Sequence, residues 1–253
     1  MSENDIAGKV VLLTGASSGI GAHLARVLAG RKARVAAAAR RTDMLENIAK
    51  EVSASGGTLM AIQMDIMSIE SIREGVAAVE AALGPVEVLI NNAGIVHQGK
   101  ATQVSEPDFD RLFATNVKGT FFVTQICGKR MIDLGIPGKI VNTASVAGLV
   151  TMPQLAVYGM TKAAVVHMTK ALADEWARHD ICVNAICPGY VSTDMNASFF
   201  ESPAGQKVID KLPKRRLATP DGIEDLLLLL ISPRRSRFMN GAIITVDDGY
   251  SVS

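Results

Sequence analysis

The sequence predicts an α/β fold: one doubly wound sheet of about seven parallel strands, with helices on both faces. Three observations carry this expectation. Short apolar runs such as Lys9-Val-Val-Leu-Leu-Thr14 and Ala33-Arg-Val-Ala-Ala-Ala-Ala39 read as strands buried on both sides. They alternate with longer stretches of helical period, and regular βα alternation implies right-handed crossovers onto a parallel sheet. Apolar residues make up 48% of the chain against 20% charged, enough to fill a core on each face. The 253 residues show no long linker, repeat or low-complexity segment, so residues 1–253 read as a single domain.

The first strand, Lys9–Thr14, runs into Gly15-Ala-Ser-Ser-Gly19-Ile-Gly21 and then a helical pattern over His23–Ala29. Strand, glycine-rich turn and helix start bring backbone N–H groups close to a pyrophosphate, with no side chain between. The spacing differs from the commoner Gly-x-Gly-x-x-Gly, and a structural turn would use glycine as freely. A strand over Ala33–Ala39 and a helix over Thr42–Ala54 follow, then a strand over Thr58–Met64, a helix over Ile69–Leu83 and a strand over Val86–Ile90. Ser105-Glu-Pro-Asp108 marks a helix start, with Ser105 as N-cap, proline in the first turn and an acid at N3; that helix is expected to reach about Leu134. Lys139–Thr143, Ile181–Ile186 and Ala242–Val246 read as strands, and Leu155–His179 as a long helix. Thr219-Pro-Asp opens a further helix, with Thr219 capping and Pro220 at N1, ending near Ile231. The exception to the alternation is a loop over roughly 191–217; it follows the sixth strand and would hang over the ligand-binding edge of the sheet.

The net charge of +1 offers no general attraction to nucleic acid or anionic lipid. Lys214-Arg215-Arg216 and Arg234-Arg235 read as solvated surface. Cys127, Cys182 and Cys187 have no metal-ligand spacing and lie among apolar residues, as buried thiols of a reducing compartment would; no metal site is expected. Met1-Ser-Glu-Asn-Asp5 lacks an apolar signal core, and the apolar run Leu226–Ile231 is far shorter than the ~20 residues that span a bilayer, so the expectation is a soluble cytoplasmic protein.

The chemistry concentrates in Tyr158-Gly-Met-Thr-Lys162, with Ser145 upstream. A phenol and an ammonium four residues apart share one helix face. A lysine beside a tyrosine favours the phenolate and lowers its pKa from about 10, which would make Tyr158 a usable proton donor and acceptor. An amphipathic helix showing one aromatic and one charged residue would look the same.

Thr14-Gly-Ala-Ser-Ser-Gly-Ile-Gly21, Asn91-Asn-Ala-Gly94, Asn116, Ser145, Tyr158-x-x-x-Lys162 and Pro188-Gly189 occur together in one order and spacing. In these motifs the chain resembles the short-chain dehydrogenase/reductase family, from about residue 7 to 250. The resemblance implies a Rossmann-type domain that transfers a hydride between a nicotinamide cofactor and a carbonyl or secondary alcohol. Tyr158 would be the general acid/base, Ser145 would polarise the substrate oxygen, and Lys162 would lower the Tyr158 pKa and bond the nicotinamide ribose. Asn116 would support a water-linked proton path to Lys162, unless it is a helix-interior asparagine satisfying backbone. The cofactor would lie along Gly15, Ser17, Ser18, Gly19, Ile20 and Gly21, and along Asn92, Ala93 and Gly94 on its adenine-ribose side. Asp65 and Ile66 would meet the adenine, although a turn aspartate is a competing reading. Pro188, Gly189, Val191 and Thr193 would hold the carboxamide, with Tyr158 and Lys162 beside the ribose.

The second strand ends at Ala39, where NAD enzymes usually carry an acid, and Arg40 and Arg41 follow. A guanidinium can clasp a 2′-phosphate, so NADP(H) is the expected cofactor rather than NAD(H), with solvated arginines as the competing reading. Val96, His97, Val146, Gln154, Tyr190, Phe199 and Phe200 are candidate pocket walls, and Val246-Asp-Asp-Gly249 departs from the family's more usual Val-Asp-Gly-Gly. The expected substrate is a small or medium carbonyl or secondary alcohol. A 3-oxoacyl-thioester reductase is an alternative, for which Lys207, Lys211 and Lys214–Arg216 could receive an acyl carrier. A non-catalytic NADP(H)-binding sensor or scaffold is the alternative of another class. The resemblance also implies a homotetramer, with no nucleic-acid or membrane partner.

Overall fold

Side-chain alternation in β1 (Val10–Thr14) explains why helices cover both faces of the sheet. Val11 and Leu13 enter one apolar cluster, while Val10 and Leu12 enter the other. The computed structural model describes residues 5–193 and 196–253; residues 1–4, on which the N-terminal reading largely rests, and residues 194–195 of the 191–217 segment lie outside the described residues. The chain continues through α1 (Gly19–Gly30), β2 (Arg34–Ala39), α2 (Thr42–Ala54), β3 (Thr58–Gln63), α3 (Ile69–Leu83) and β4 (Val88–Asn91). Then come α4 (Glu106–Phe113), α5 (Thr120–Leu134), β5 (Gly138–Thr143), α6 (Ala156–Trp176) and β6 (Ile181–Pro188). Two short helices, α7 (Ala197–Glu201) and α8 (Pro203–Ile209), precede α9 (Asp221–Ile231) and β7 (Ile243–Val246).

All seven strands are parallel, in the order β3-β2-β1-β4-β5-β6-β7. The order reverses between β1 and β4, where open α/β sheets leave a crevice at their carboxyl ends. Leu24 and Leu28 of α1, Leu45 and Ile48 of α2, and Ile223 and Leu227 of α9 pack on one face. Ile72 and Val76 of α3, Val123 and Met131 of α5, and Leu172 and Trp176 of α6 pack on the other. Cys127, Cys182 and Cys187 are all buried and free. No helix among the described residues is long and apolar enough to cross a membrane.

Four features depart from the sequence expectation. The helix after the glycine-rich turn begins at Gly19, within the turn itself, rather than at His23. Ser105 does cap α4, accepting from the Asp108 N–H at 3.2 Å, but the helix running to Leu134 widens into a π-helical segment over Ala114–Gly119. Asn116 sits within that segment, its amide tied to the neighbouring loop at Ile95. The segment over 191–217 is partly helical, because Ser202 accepts from the Gly205 N–H with Pro203 in the first turn, the same cap signal as at Ser105. At α9, Pro220 is already helical yet sits at the cap position, so Thr219 lies one residue further out than expected.

A buried polar network crosses the centre of the sheet. Asn91 Nδ2 donates to Thr124 Oγ1 at 2.7 Å and to Asn142 Oδ1 at 2.8 Å, and Asn142 Nδ2 donates to Thr169 Oγ1 at 2.9 Å. It joins β4 and β5 to α5 and α6, the elements that carry the site. Satisfied networks in an apolar core specify one register, and removing one member strands the others. Asn142→Ala is therefore expected to lower stability by about 2 kcal/mol in urea unfolding; a loss under about 0.5 kcal/mol would contradict the network's role.

Candidate active site

The crevice between β1 and β4 is stitched by backbone and side-chain hydrogen bonds. Thr14 Oγ1 accepts from the N–H groups of Asn92 and Ala93 at 3.1 and 3.2 Å, and Asn92 Nδ2 donates to the carbonyls of Thr14 and Gly15. A β-carbon at Gly21 would fall 2.1 Å from the Gly15 carbonyl oxygen, so only glycine lets α1 start this close to the turn. Ser18 occupies the N-cap without bonding the first turn, which leaves those N–H groups to an anion. The Ala16 N–H donates to Ala38 O at 3.2 Å, drawing the turn to the end of β2. There Arg41 Nη2 donates to Ser17 Oγ at 3.4 Å; Arg40 and Arg41 are both exposed. Ile20 packs partly into the core. On the far side Thr193 rests its methyl over Gly19, Gly189 lies against Asp247, and Val191 is buried and bridged to Ala218. This cradle, an uncapped helix N-terminus with a guanidinium beside it, fits a dinucleotide.

Ser145 and Tyr158 meet because the turn Val146–Gly148 docks against the start of α6. A β-carbon at Gly148 would fall 2.7 Å from the Lys162 carbonyl carbon, so the turn's glycine permits the approach. Ser145 caps this turn, its Oγ accepting from the Ala147 N–H at 3.2 Å. Lys162, only 5% exposed, donates from Nζ to Thr143 O at 2.8 Å, and Nζ lies 5.7 Å from the Tyr158 ring centroid. Asn116, 1% exposed, sits inside the π-helical segment. Its Oδ1 accepts from the Ile95 N–H at 2.9 Å, and its Nδ2 donates to Ile95 O at 2.8 Å and Thr161 Oγ1 at 3.1 Å. Thr161 in turn donates to Tyr158 O. The Asn116 side chain is thus engaged by backbone and Thr161, as in the competing reading of that residue. π-Bulges often mark functional sites.

Burial works against the lowered tyrosine pKa that the spacing suggests: it raises the Tyr158 pKa above its ordinary value, while the Ser145 hydroxyl pulls it down. Lys162 is itself lowered to about 8, because burial disfavours the ammonium. Cys187, on β6 beside them, is pushed up to about 11 by burial, against the Ser145 backbone N–H and the Lys162 charge. The residue pattern gives Thr143 and Thr161 no role although they flank Ser145 and Lys162 in the chain, and Cys187 becomes a neighbour only in three dimensions.

Asp65 follows its turn reading: Oδ1 accepts from the Met67 N–H at 3.0 Å, and Ile66 packs against Gly119 of the π segment. Gly94 leaves room beside Asn116 Oδ1 and Lys162 Nζ. Among the candidate walls, Val96, Gln154 and Phe199 are exposed, Val146 and Phe200 are buried, and His97 lies 3.8 Å from Asp108. The His97 and Gln154 loops are joined by the Gly99 N–H, which donates to Gln154 O at 2.9 Å.

A parallel sheet reversing at β1/β4, with a glycine-cradled crevice and half-buried Ser145 and Tyr158 beside a buried Lys162 at its carboxyl edge, defines a dinucleotide-dependent oxidoreductase. The family model described as short chain dehydrogenase matches residues 9–204. Gluconate 5-dehydrogenase of Gluconobacter oxydans (strain 621H) is 37% identical over 98% of this chain and 96% of its own. D-threitol dehydrogenase of Mycolicibacterium smegmatis (strain ATCC 700084 / mc(2)155) is 35% identical over 97% and 94%. A variant of actinorhodin polyketide ketoreductase, solved with NADPH, superposes with a TM-score of 0.91 at 33% identity, covering 100% of both chains. The chain belongs to the short-chain dehydrogenase/reductase family, as NAD(P)-dependent oxidoreductases acting on CH–OH groups and the corresponding carbonyls.

Lys162 supplies a stability test with a definite sign. Its folded pKa of about 8 lies below the ordinary 10.5, so the folded state carries a penalty for the charged form at neutral pH. That penalty fades as pH rises from about 8 through 10.5 and the unfolded state also loses its proton. The stability of the wild type relative to Lys162→Met, read from urea midpoints, is expected to increase between pH 7 and pH 10; a constant or shrinking difference would contradict the burial of the charge.

Proposed function

We propose that the protein transfers a hydride between NADP(H) and the carbonyl or carbinol carbon of a small hydroxylated substrate. The observation that carries this reading is the buried Lys162 Nζ 5.7 Å from the Tyr158 ring, on the helix against which the Ser145 turn docks. The nicotinamide ring, when bound, supplies or accepts the hydride. Tyr158, kept protonated at neutral pH by burial, gives its proton to the carbonyl oxygen in reduction. Ser145 donates to that same oxygen and stabilises the charge that develops there. Lys162 stands close enough to offset the phenolate left behind. Asn116 positions the pair, bracing the loop after β4 through Ile95 and the first turn of α6 through Thr161. In oxidation the same groups act in reverse, starting from the phenolate.

The dinucleotide would lie across the Gly15–Gly21 turn and the Asn92–Gly94 loop, with Asp65 and Ile66 towards the adenine and Pro188, Gly189, Val191 and Thr193 at the other end. Arg41, held beside Ser17, and the exposed Arg40 are the cations for a 2′-phosphate, and the NADPH-bound ketoreductase supports that preference. Gluconate and threitol relatives support a polyhydroxylated substrate. The acyl-carrier reductase and acetoacetyl-CoA reductase relatives support the thioester alternative as a second reading, for which Lys207 and Lys211 are exposed while Lys214 and Arg216 are paired with Asp248. The segment over 191–217, within one domain, is read as the substrate loop; a soluble, tetrameric enzyme is the accompanying proposal.

Tyr158→Phe is expected to lower kcat at least about 100-fold while leaving NADPH binding, followed by fluorescence titration, within about twofold. Comparable turnover in the variant would remove the acid/base assignment. Arg40→Asp should shift the NADP/NAD ratio of kcat/KM towards NAD by about tenfold or more, because a carboxylate repels the phosphate and accepts from a ribose hydroxyl. An unchanged ratio would place the phosphate elsewhere.

A further inference from the structure

The turn Val246-Asp-Asp-Gly249 carries an aspartate where the backbone favours glycine: Asp248 has φ of 52°, in the left-handed region. Its carboxylate is enclosed by two cations from the far arm of the 191–217 segment. Oδ1 accepts from Lys214 Nζ at 3.0 Å and Arg216 Nη2 at 3.3 Å, and Oδ2 accepts from Arg216 Nε at 2.7 Å. Arg215 between them also has a positive φ, 47°. The turn is stiffened from within, since Asp247 accepts from the N–H groups of Gly249 and Ser251 at 3.1 and 2.7 Å. Beneath the ion pairs Tyr190 meets Tyr250 edge-on at 5.6 Å and Phe200 at 6.0 Å. Tyr190 directly follows Pro188-Gly189, and Gly189 lies against Asp247. The C-terminal turn, the far arm of the loop and the candidate wall residues Tyr190 and Phe200 therefore form one contact unit.

We propose that Asp248 is a positioning residue that latches the 212–218 arm to the C-terminal turn, and so holds Tyr190 and Phe200 as a closed wall beside the substrate. Its two-sided hydrogen bonding to Arg216, with Lys214 added, makes a small network rather than an isolated surface pair. The Arg216 and Lys214 hydrogen bonds hold the Asp248 carboxyl down to about 2, so the latch stays charged throughout the neutral range. Partly exposed pairs are screened by salt, which makes closure of this arm dependent on ionic strength. The bearing on substrate rests on the proposed reading of 191–217 as the substrate loop; the latch itself has a readout that needs no turnover.

That readout is limited trypsin proteolysis of the full chain, with cleavage after the exposed Lys207 and Lys211 followed by mass spectrometry. Wild-type cleavage is expected to be slow at low salt and about fivefold faster at about 0.5 M salt. Asp248→Asn should cleave at the fast rate already at low salt, with no further salt response. Asp248→Gly should behave alike although glycine suits the backbone better, which assigns the effect to the carboxylate rather than to the turn. Adding Lys214→Gln and Arg216→Gln to Asp248→Asn should produce no further acceleration. In steady state the KM for a substrate that the enzyme turns over should rise about fivefold with kcat within about twofold. Cleavage of Asp248→Asn at the wild-type rate and salt dependence would overturn the latch. Faster cleavage with an unmoved KM would overturn its bearing on substrate. A wild type that turns over no carbonyl at all would strike the oxidoreductase reading instead, while the cleavage rates still decide the latch.

Discussion

The site depends on one close approach: the turn Val146–Gly148 lying against the first two turns of α6, with no side chain at Gly148 to hold them apart. That contact sets Ser145 against Tyr158 and leaves Lys162 room for a single direction, inward to Thr143 O. The strand that supplies Thr143 is held to its neighbours and to α6 by the Asn91–Asn142–Thr169 chain of hydrogen bonds. The chemistry is therefore mounted on the centre of the sheet, where a parallel ladder and buried side-chain hydrogen bonds fix positions, although Asn91 Oδ1 itself finds no partner among the described residues. A buried ammonium costs stability, and the fold tolerates it at the position where a positive charge near a phenol is useful.

Most of the fold is legible in the residue pattern. Buried parallel strands read as continuous apolar runs, and Ser105-Glu-Pro-Asp108 spells a helix start in local chemistry alone. Ser202-Pro203 carries the same local signal, but no long run of helical period follows it to make the helix legible. The π-helical widening around Asn116 is not legible, and neither are the bonds of Asn116 to Ile95 and Thr161, 21 and 45 residues away. The same limit applies to electrostatics. A Tyr-x-x-x-Lys spacing suggests a lowered tyrosine pKa, yet the sign is decided by burial from β5, β6 and the Ser145 turn, which the spacing cannot report. Arg40 and Arg41 look equivalent in the sequence, and only the path of β2 past the glycine-rich turn brings Arg41 to Ser17.

Around this rigid edge the remaining pieces are held by weaker, more adjustable contacts. Aromatic edges join Tyr190, Phe200 and Tyr250, and exposed ion pairs join the far arm of the 191–217 segment to the C-terminal turn. This division of labour suits an oxidoreductase in which proton transfer needs fixed geometry while substrate entry needs a movable wall. On the proposed reading it also separates two kinds of specificity, with the choice of dinucleotide at the end of β2 and the choice of substrate in loops that carry few backbone ladder bonds.

The most direct measurement of the central claim is the fate of the hydride. Reduction of a hydroxy ketone with NADPH carrying deuterium at nicotinamide carbon 4, run separately with each face labelled, can be followed by mass spectrometry and NMR of the alcohol. One of the two labelled cofactors is expected to deliver its deuterium to the carbinol carbon, with the hydroxyl proton coming from solvent. Alcohol formed without deuterium at that carbon from either label would contradict direct hydride transfer beside Tyr158.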